Sequence, residues 1–340
     1  MIQNRPPGLL ERLASGPVIC AEGYLFEFER RGYVSAGQFV PEIVLDRPEL
    51  VEALHREFVH AGSDVVEAFT YYAHREKLRQ IGREADLEPM NRQALAIAHK
   101  VARETGALFS GDICNTNVFD PADPSTASAV RGMFEEQVGW AVDAGVDMII
   151  AETFYYAQEA LIAVDVARAA GVPIVATLAV FAAGDMREGW SVAESCKRLE
   201  DAGASVVGLN CIRGPKTMMP LLREVRAAVS CHVAALPVPF RTHAHEPTFQ
   251  SLTDPGYDNF PAGRPYPTAL EPLTCNRYEV ADFAREALEL GVRYLGLCCG
   301  AGPQHIRAMA EAAGGKAAAS RYTADMTKKK FIDTQEVPSS

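Results

Sequence analysis

Short apolar runs alternate with longer amphipathic stretches along most of the chain. The runs are rich in Val, Ile, Leu and Ala, and some, such as 148–151 and 206–209, are apolar at nearly every position. This pattern is typical of strands that are buried on both faces of a parallel sheet. The sequence predicts eight such strands, at residues 18–20, 64–69, 107–111, 147–152, 173–180, 205–211, 232–236 and 293–298.

The stretches between the runs have helical periodicity, and five of them are followed within two residues by a glycine. They cover residues 48–60, 127–143, 158–170, 191–202 and 278–290. A glycine after the last turn is a common helix C-cap. Strands alternating with helices fit a closed barrel or a doubly wound open sheet. The count of eight, and the absence of a G-x-G-x-x-G motif in the first βα turn, favour an α/β fold of the (β/α)8 TIM-barrel type.

Two segments interrupt this alternation. Residues 241–277 hold six prolines and several aromatic residues but little periodicity. A loop this long is typically a functional lid or a disordered segment. After residue 315 the chain becomes polar and includes the basic run Lys328–Lys330, for which a solvated surface is the simplest interpretation. We therefore predict one barrel domain at 1–315, with a long loop after the seventh strand, and a polar tail at 316–340.

Composition excludes several classes of partner. The net charge of −11 argues against binding to nucleic acid. No stretch approaches the 18 apolar residues of a membrane span, and the first residues lack the apolar core of a signal peptide. These features predict a cytoplasmic protein without a membrane partner. In that compartment the eight cysteines are expected to be reduced and either buried or bound to metal.

Three of those cysteines follow predicted strands. Barrel enzymes carry their chemistry at the carboxyl ends of the strands, where Cys211, Cys298 and Cys299 fall. Three thiolates with an open fourth position would form a catalytic Zn²⁺ site. Neighbouring residues of a strand face opposite ways, so Cys298 and Cys299 can share a metal only after the strand has ended, and Gly300 permits such a turn. Ordinary core cysteines, an accidental pair or a vicinal disulfide are the alternatives.

The residues around these cysteines resemble a known family. The segments GLNC at 208–211 and GLCCG at 296–300, followed by GPQHIRAMAE, are similar to the two zinc-binding signatures of the homocysteine S-methyltransferase family. The segments FEFERRGYVSAGQFVPE and LHREFVHAGSDVVEAFTYYAHREKL resemble its betaine–homocysteine branch. The resemblance extends from about residue 8 to residue 314.

The resemblance implies a zinc-dependent enzyme that moves a methyl group to the thiolate of homocysteine, bound as the fourth zinc ligand. By position, Tyr72 matches a tyrosine that takes the fourth zinc position without substrate, and Glu152 matches the acid that binds the homocysteine amino group. Phe69 and Tyr71 match pocket aromatics, and they are expected to bind substrate together with Asn210, which precedes the first zinc cysteine. The alternatives are rim packing for the tyrosines and a structural ion pair for Glu152.

The chain departs from the family pattern at several positions that are expected to contact homocysteine or the methyl donor. The family has Asp-Gly-Gly after the first strand, whereas this chain has Ala21-Glu22-Gly23. The branch has tryptophan in place of Phe39 and tyrosine in place of Thr153, both near the methyl donor. We therefore predict that Glu22, Gly23, Phe39 and Thr153 contact substrate, and we leave open whether Glu22 replaces the aspartate.

Alternatives remain for both the methyl donor and the class of reaction. Glycine betaine is the favoured onium donor, and S-methylmethionine and dimethylsulfoniopropionate are its rivals. A zinc hydrolase or lyase would use metal-activated water, although three thiolates make zinc a weak Lewis acid. A structural zinc site completed by His243 or His245 is a third interpretation. The C-terminal region is shorter than the extension with which the betaine enzymes assemble, so a homo-oligomer remains open.

Overall fold

Eight parallel strands form the centre of the molecule. The computed structural model describes residues 7–325, and no helix in that range is long and apolar enough to span a membrane. The strands are β1 Val18–Ala21, β2 Val65–Glu67, β3 Leu108–Cys114, β4 Met148–Phe154, β5 Ile174–Leu178, β6 Val206–Asn210, β7 His232–Leu236 and β8 Tyr294–Leu297. All eight predicted strands are present, with ends that shift by up to three residues.

Helices surround the strands. They are α1 Leu9–Ser15, α2 Tyr24–Arg30, α3 Ile43–Asp46, α4 Pro48–Ala61, α5 Arg75–Gln80, α6 Leu87–Thr105, α7 Pro124–Ala144, α8 Ala157–Ala169, α9 Val192–Asp201, α10 Pro215–Ala228, α11 Arg277–Glu289 and α12 Pro303–Ala312. The five predicted helices correspond to α4, α7, α8, α9 and α11. The sequence pattern did not predict the other seven helices of the described chain, of which α6 and α10 are the longest. The helix α6 ends at a left-handed glycine, Gly106, as the predicted helices do, whereas Pro220 lies inside α10.

The strands are ordered β1-β8-β7-β6-β5-β4-β3-β2, so β1 and β2 meet at the two ends of the sheet. At this seam the Asp64 amide donates to the Ile19 carbonyl oxygen at 2.7 Å, and the Ile19 amide donates to the Asp64 carboxylate at 2.8 Å. These bonds join β1 and β2, the strands at the two ends of the sheet, into a nearly closed (β/α)8 barrel. The predicted fold class is confirmed.

Alternate residues of each strand point into the barrel, as the two-residue period of a strand requires. Met148 and Ile150 belong to the interior cluster, whereas Ile149 and Ala151 pack towards the helices. The lower interior is apolar, and α1 covers it from below with Leu9 and Leu13. Its barrel residues are Val18, Cys20, Val65, Leu108, Met148, Ile150, Val175, Val206, Ala234, Leu236 and Tyr294.

The interior changes character towards the carboxyl ends of the strands. There the buried side chains are polar or ionisable, and they belong to Glu22, Glu67, Asp112, Glu152, Thr177 and Asn210. Because the strand period fixes which residues face inward, the eight strands carry these groups to one end of the molecule.

The long loop and the tail are only partly irregular. Within 241–277 the structure has two short 3₁₀ helices, Pro261–Gly263 and Glu271–Leu273. In the tail, Ala318–Tyr322 forms a 3₁₀ helix that packs against α4 through buried Ala319. The run Lys328–Lys330 lies outside the described residues. The division at residue 315 stays a prediction.

Candidate metal centre and active site

The three predicted metal ligands come together just beyond the ends of β6 and β8. The Sγ atoms of Cys211, Cys298 and Cys299 lie within 4.8 Å of one another, and Cys298 Sγ is 3.9 Å from Cys299 Sγ. The predicted strands included Cys211 and Cys298, but β6 ends at Asn210 and β8 at Leu297. This correction explains how neighbouring cysteines face one point, because both lie in a turn.

The turn depends on Gly300, whose φ is +93°. A side chain there would be strained, and its Cβ would lie 2.5 Å from a ring carbon of Phe240. On the other side, Cys211 is held by its amide, which donates to the Leu236 carbonyl oxygen at 2.9 Å. Both segments are therefore fixed by backbone contacts of the barrel.

The three thiols fit a zinc ion by their donor chemistry. Hydrogen bonds from Cys298 and Cys299 hold the pKa of Cys211 well below its ordinary value. Burial raises the pKa of Cys298, and the hydrogen bond with Cys211 raises that of Cys299. One thiolate stabilised by two thiols is a sulfur-only donor set of the kind that Zn²⁺ binds. Neither His243 nor His245 joins this group, and His243 is paired with Glu246 at 2.9 Å.

A network centred on Asn210 connects the cysteines with two carboxyl groups. The Asn210 side-chain amide donates to Glu152 Oε2 at 2.6 Å and to Glu22 Oε2 at 3.3 Å. It is 3.8 Å from Cys298 Sγ, and Glu152 Oε2 is 3.9 Å from the same sulfur. The structure therefore joins the predicted residues Glu22, Glu152 and Asn210 beside a predicted metal ligand. Burial raises the pKa of Glu152 to about 8.

Thr153 also belongs to this hydrogen-bond network. Its hydroxyl donates to Glu152 Oε2 at 2.9 Å, and its amide donates to Asn210 Oδ1 at 2.9 Å. Thr153 is 2% exposed, and its hydrogen bond to Glu152 helps to fix the orientation of that carboxyl group. Contact of Thr153 with a substrate stays a prediction.

Gly23 allows the first strand to end against the cysteine turn. A Cβ at this position would lie 2.1 Å from the Ala301 carbonyl oxygen, so any side chain would force the two segments apart. The predicted Gly23 is therefore required by packing beside the site.

Aromatic side chains line the opening. A cavity beside Cys298 and Cys299 is lined by Phe69 and Tyr71. The Tyr72 ring packs against Tyr71 at a tilt of 45° with ring centroids 4.3 Å apart, and its hydroxyl interacts with Asn117, Tyr71 and Tyr155. The role of Tyr72 as a fourth zinc ligand stays a prediction.

Phe39 lies farther out than the other predicted aromatics. Its ring stacks on Phe26 at 5.8 Å, Phe26 stacks on Phe249 at 6.0 Å, and Phe249 meets Tyr266 edge to face at 4.8 Å. This series of rings joins α2 to the long loop. Contact of Phe39 with a substrate stays a prediction.

Tyr266 is a site residue that the sequence reading missed. Burial raises its pKa, and the charges of Cys299 and Cys211 raise it further, which identifies those thiols as its neighbours. Its only signal in the sequence was an aromatic residue in a long proline-rich loop. Tyr155 interacts with Tyr72, Cys211 and Tyr266.

The backbone is strained around the same residues. Seven non-glycine residues of the described chain have positive φ, and five of them are Phe39, Tyr72, Thr153, Cys211 and Ile212. Such conformations cost about 1–3 kcal/mol each and persist where the surroundings enforce them, commonly at functional sites. The clustering supports one shared site for residues that are far apart in sequence.

Comparison with known proteins agrees with this geometry. The homocysteine S-methyltransferase family matches residues 23–313. Betaine–homocysteine S-methyltransferase 1 of Xenopus tropicalis is 39% identical over 316 residues, which cover 89% of this chain and 75% of the relative. S-methylmethionine–homocysteine S-methyltransferase BHMT2 of Rattus norvegicus is 37% identical over 309 residues, with 89% and 80% covered.

A solved structure supports the fold. The metallated form of the homocysteine methyltransferase MmuM from Escherichia coli has a TM-score of 0.68 at 17% identity, and 88% of this chain and 97% of that chain are covered. The structural likeness concerns the barrel alone, whereas the sequence matches span the strand ends that carry the cysteines. The chain belongs to the homocysteine S-methyltransferase family and is an enzyme of the methyltransferase type.

Proposed function

We propose that this enzyme transfers a methyl group from a small onium donor, with glycine betaine favoured, to the sulfur of homocysteine, giving methionine. In this proposal Cys211, Cys298 and Cys299 hold a catalytic Zn²⁺. The observation that carries the proposal is the convergence of the three cysteine sulfurs with Glu22 and Glu152 beside aromatic rings. The thiols, the carboxyl groups and the rings suit the acceptor sulfur, the acceptor amino group and the onium group of the donor, respectively.

The acceptor side is supported by the carboxyl network. An acceptor whose sulfur lies at the cysteines has its amino group within reach of Glu152 and Glu22. Asn210 and Thr153 fix the orientation of Glu152, so the carboxylate does not need to reorganise when the ammonium binds. We infer that Glu22, placed beside Glu152, takes the role of the family's absent aspartate.

The donor side is supported by the tyrosines. Tyr71, Tyr155 and Tyr266 lie close to the cysteines, and Tyr72 contacts Tyr71 and Tyr155. Aromatic rings bind quaternary ammonium and sulfonium groups. Lys77 Nζ lies 3.9 Å from the centroid of the Tyr72 ring. A cation there offers a partner for the carboxylate that glycine betaine and its two rivals share.

The chain's residues then align the two substrates. When bound, Zn²⁺ supplies a deprotonated acceptor thiol at neutral pH. Glu152 holds the acceptor, and the tyrosine rings hold the donor with its methyl carbon towards the sulfur. The sulfur lone pair forms the new S–C bond while the C–N bond of betaine breaks, and its electron pair returns to nitrogen. Dimethylglycine leaves as a neutral amine, so the step needs no general base.

A donor panel tests the proposal. Zinc-loaded protein is incubated with homocysteine and methyl-deuterated glycine betaine, S-methylmethionine or dimethylsulfoniopropionate, and methionine is measured by mass spectrometry. We expect deuterated methionine with betaine above the other donors. The Cys298→Ser variant is the control for catalysis at the cysteines. Absence of labelled methionine with every donor would contradict the proposal, and a preference for a sulfonium donor would change only the donor.

The cytoplasmic location and the assembly state belong to the same proposal as predictions. Cell fractionation and light scattering on the purified chain measure them.

A further inference from the structure

A second group of acidic side chains lies beside the proposed acceptor site. One carboxylate oxygen each from Glu67, Asp112 and Glu152 lies within 4.8 Å of the others. All three residues are 3% exposed. Glu67 and Glu152 line the cavity beside the cysteines, whereas Asp112 is not among its lining residues and lies behind them. The group is therefore one layer deeper in the barrel than the substrates.

The polar atoms at the back of this group lack partners within the described structure. Neither carboxylate oxygen of Asp112 has a hydrogen bond, nor has the hydroxyl of Ser110. Ser110 is fully buried and pairs in register with Glu67, so its side chain faces the interior beside that carboxyl. Buried polar groups are almost always hydrogen-bonded, and an exception in a native structure points to a missing ligand or water.

The described protein provides no positive charge for these acids. Burial and the charge of Glu152 raise the pKa of Asp112, and no Lys, Arg or His of residues 7–325 contributes to that pKa. Protonation is one way to avoid several buried negative charges, and Glu67 and Glu152 do interact through such a hydrogen bond. A neutral Asp112 would still need an acceptor for its proton, and the described structure offers none.

We propose that Glu67, Asp112 and Glu152 form a second cation site, which binds one hard divalent metal ion beneath the substrate cavity. Three carboxylates are an oxygen-only donor set, which Mg²⁺, Mn²⁺ and Ca²⁺ prefer and which differs from the thiolate set of zinc. Ligands at about 2.4 Å from one ion lie at most about 4.8 Å apart, which matches the spacing of these oxygens.

The position favours an inorganic ion over a substrate ammonium group. Glu67 and Glu152 line the cavity and Asp112 does not, so an ion that contacts all three acids lies beyond the acceptor. Glu152 has two oxygens and therefore serves both sites. An ion held there would fix Glu152 from below while Asn210 and Thr153 fix it from the side.

The test uses the zinc-loaded full chain, with Mn²⁺ as the probe. Bound Mn²⁺ is counted by electron paramagnetic resonance, and both metals by mass spectrometry of the elements. We expect about one Mn²⁺ per chain in addition to zinc. The Asp112→Asn variant should bind Mn²⁺ at least ~100-fold more weakly and keep its zinc, because it removes an anionic ligand of one site only.

The matched control is Glu159→Gln, another buried carboxyl that accepts hydrogen bonds from Thr116 and lies outside the group. It should keep both metals. If Asp112→Asn does not fold, the wild-type chain still decides, because Mn²⁺ or Ca²⁺ should raise its melting temperature by several degrees at saturation. Ser110→Ala, which keeps all three carboxylates, should then weaken Mn²⁺ binding only a few-fold.

Three results would overturn the inference. One is a wild-type chain that contains zinc alone and neither binds Mn²⁺ nor gains stability from it, which would indicate neutral acids. Another is an Asp112→Asn variant that keeps the Mn²⁺. The third is stoichiometric displacement of Mn²⁺ by homocysteine, which would make the group part of the acceptor site. None of these measurements needs methyl transfer, so they are independent of the proposed function.

Discussion

The lower and upper halves of the barrel interior are built by the same eight strands with opposite chemistry. Below, side chains such as Met148, Ile150 and Val206 pack into a closed apolar cluster. Above, the next inward residues are carboxyl, amide and thiol groups, and several lack hydrogen-bond partners in the described structure. Burial of apolar side chains in the lower half stabilises the fold. Keeping polar groups out of water in the upper half offsets part of that stabilisation. Substitutions in the lower half should therefore reduce stability, whereas substitutions in the upper half should reduce metal binding or activity.

The largest expected effect concerns the cysteines of the upper half. Cys298→Ser should lose zinc and lower kcat/KM for methyl transfer by about 10⁴-fold, because it removes one of three thiolate ligands. Cys196→Ala is the matched control, since Cys196 is a fully buried cysteine of α9 outside the site. It should keep its zinc and its activity per folded molecule. Equal loss in both variants would contradict a specific role of the cysteines in the upper half.

Glu152 is the next test of the upper half. Glu152→Gln should raise KM for homocysteine and lower kcat/KM by about 100-fold, since the ammonium loses its charged partner. One orientation of the new amide would also face the donating amide of Asn210. Steady-state kinetics with each substrate varied separately gives the measurement. Glu22→Gln should have a smaller effect in the same direction, and an unchanged KM in both variants would remove the acids from acceptor binding.

In the lower half we expect loss of stability without loss of chemistry. Met148→Ala leaves a cavity in a fully buried cluster and should lower the free energy of unfolding by about 2–5 kcal/mol. Urea unfolding followed by circular dichroism measures the change. Zinc content and kcat below the melting transition should match the wild type. A selective loss of kcat would show that the halves are coupled.

The pH dependence of stability sharpens the same contrast, because the most deeply buried carboxyls of the described residues lie at the upper end. Burial raises the pKa of Glu159 to about 7 from an unfolded value near 4.5. A raised folded pKa gives stability that is complete below about pH 4.5 and is lost as the pH rises through about 7. That 2.5-unit difference corresponds to roughly 3 kcal/mol. Relative to wild type, Glu159→Gln should be about that much more stable at pH 8 than at pH 5, in paired urea titrations.

The smallest effect is expected from the long loop. Tyr266→Leu should raise KM for the onium donor by about 5-fold and leave KM for homocysteine unchanged, because an aromatic face is worth about 1 kcal/mol to a cation. Tyr266→Phe keeps the ring and is the control. An equal rise for both substrates would mean that the loop excludes water from the whole site instead of binding the donor.

The positive φ angles show how the two halves differ in local structure. Three residues at the upper rim have the left-handed backbone conformation, which differs from that of a regular strand. They are Tyr72, Thr153 and Cys211. No side-chain pattern in the sequence marks these residues as left-handed, since none of them is glycine or asparagine. The strain follows from neighbours such as Leu236, whose carbonyl oxygen accepts from the Cys211 amide.

The sequence by itself determined the barrel, the rim where the chemistry lies and the three thiols, because these depend on local quantities. Strand period, glycine stops and the positions of Cys211, Cys298 and Cys299 after apolar runs can be read from a short window of residues. The tertiary structure alone decided which groups meet across the barrel. Tyr266 reaches the thiols from a loop without periodicity, and Glu67, Asp112 and Glu152 converge from three strands. Such contacts depend on barrel closure and strand register, which no segment encodes alone.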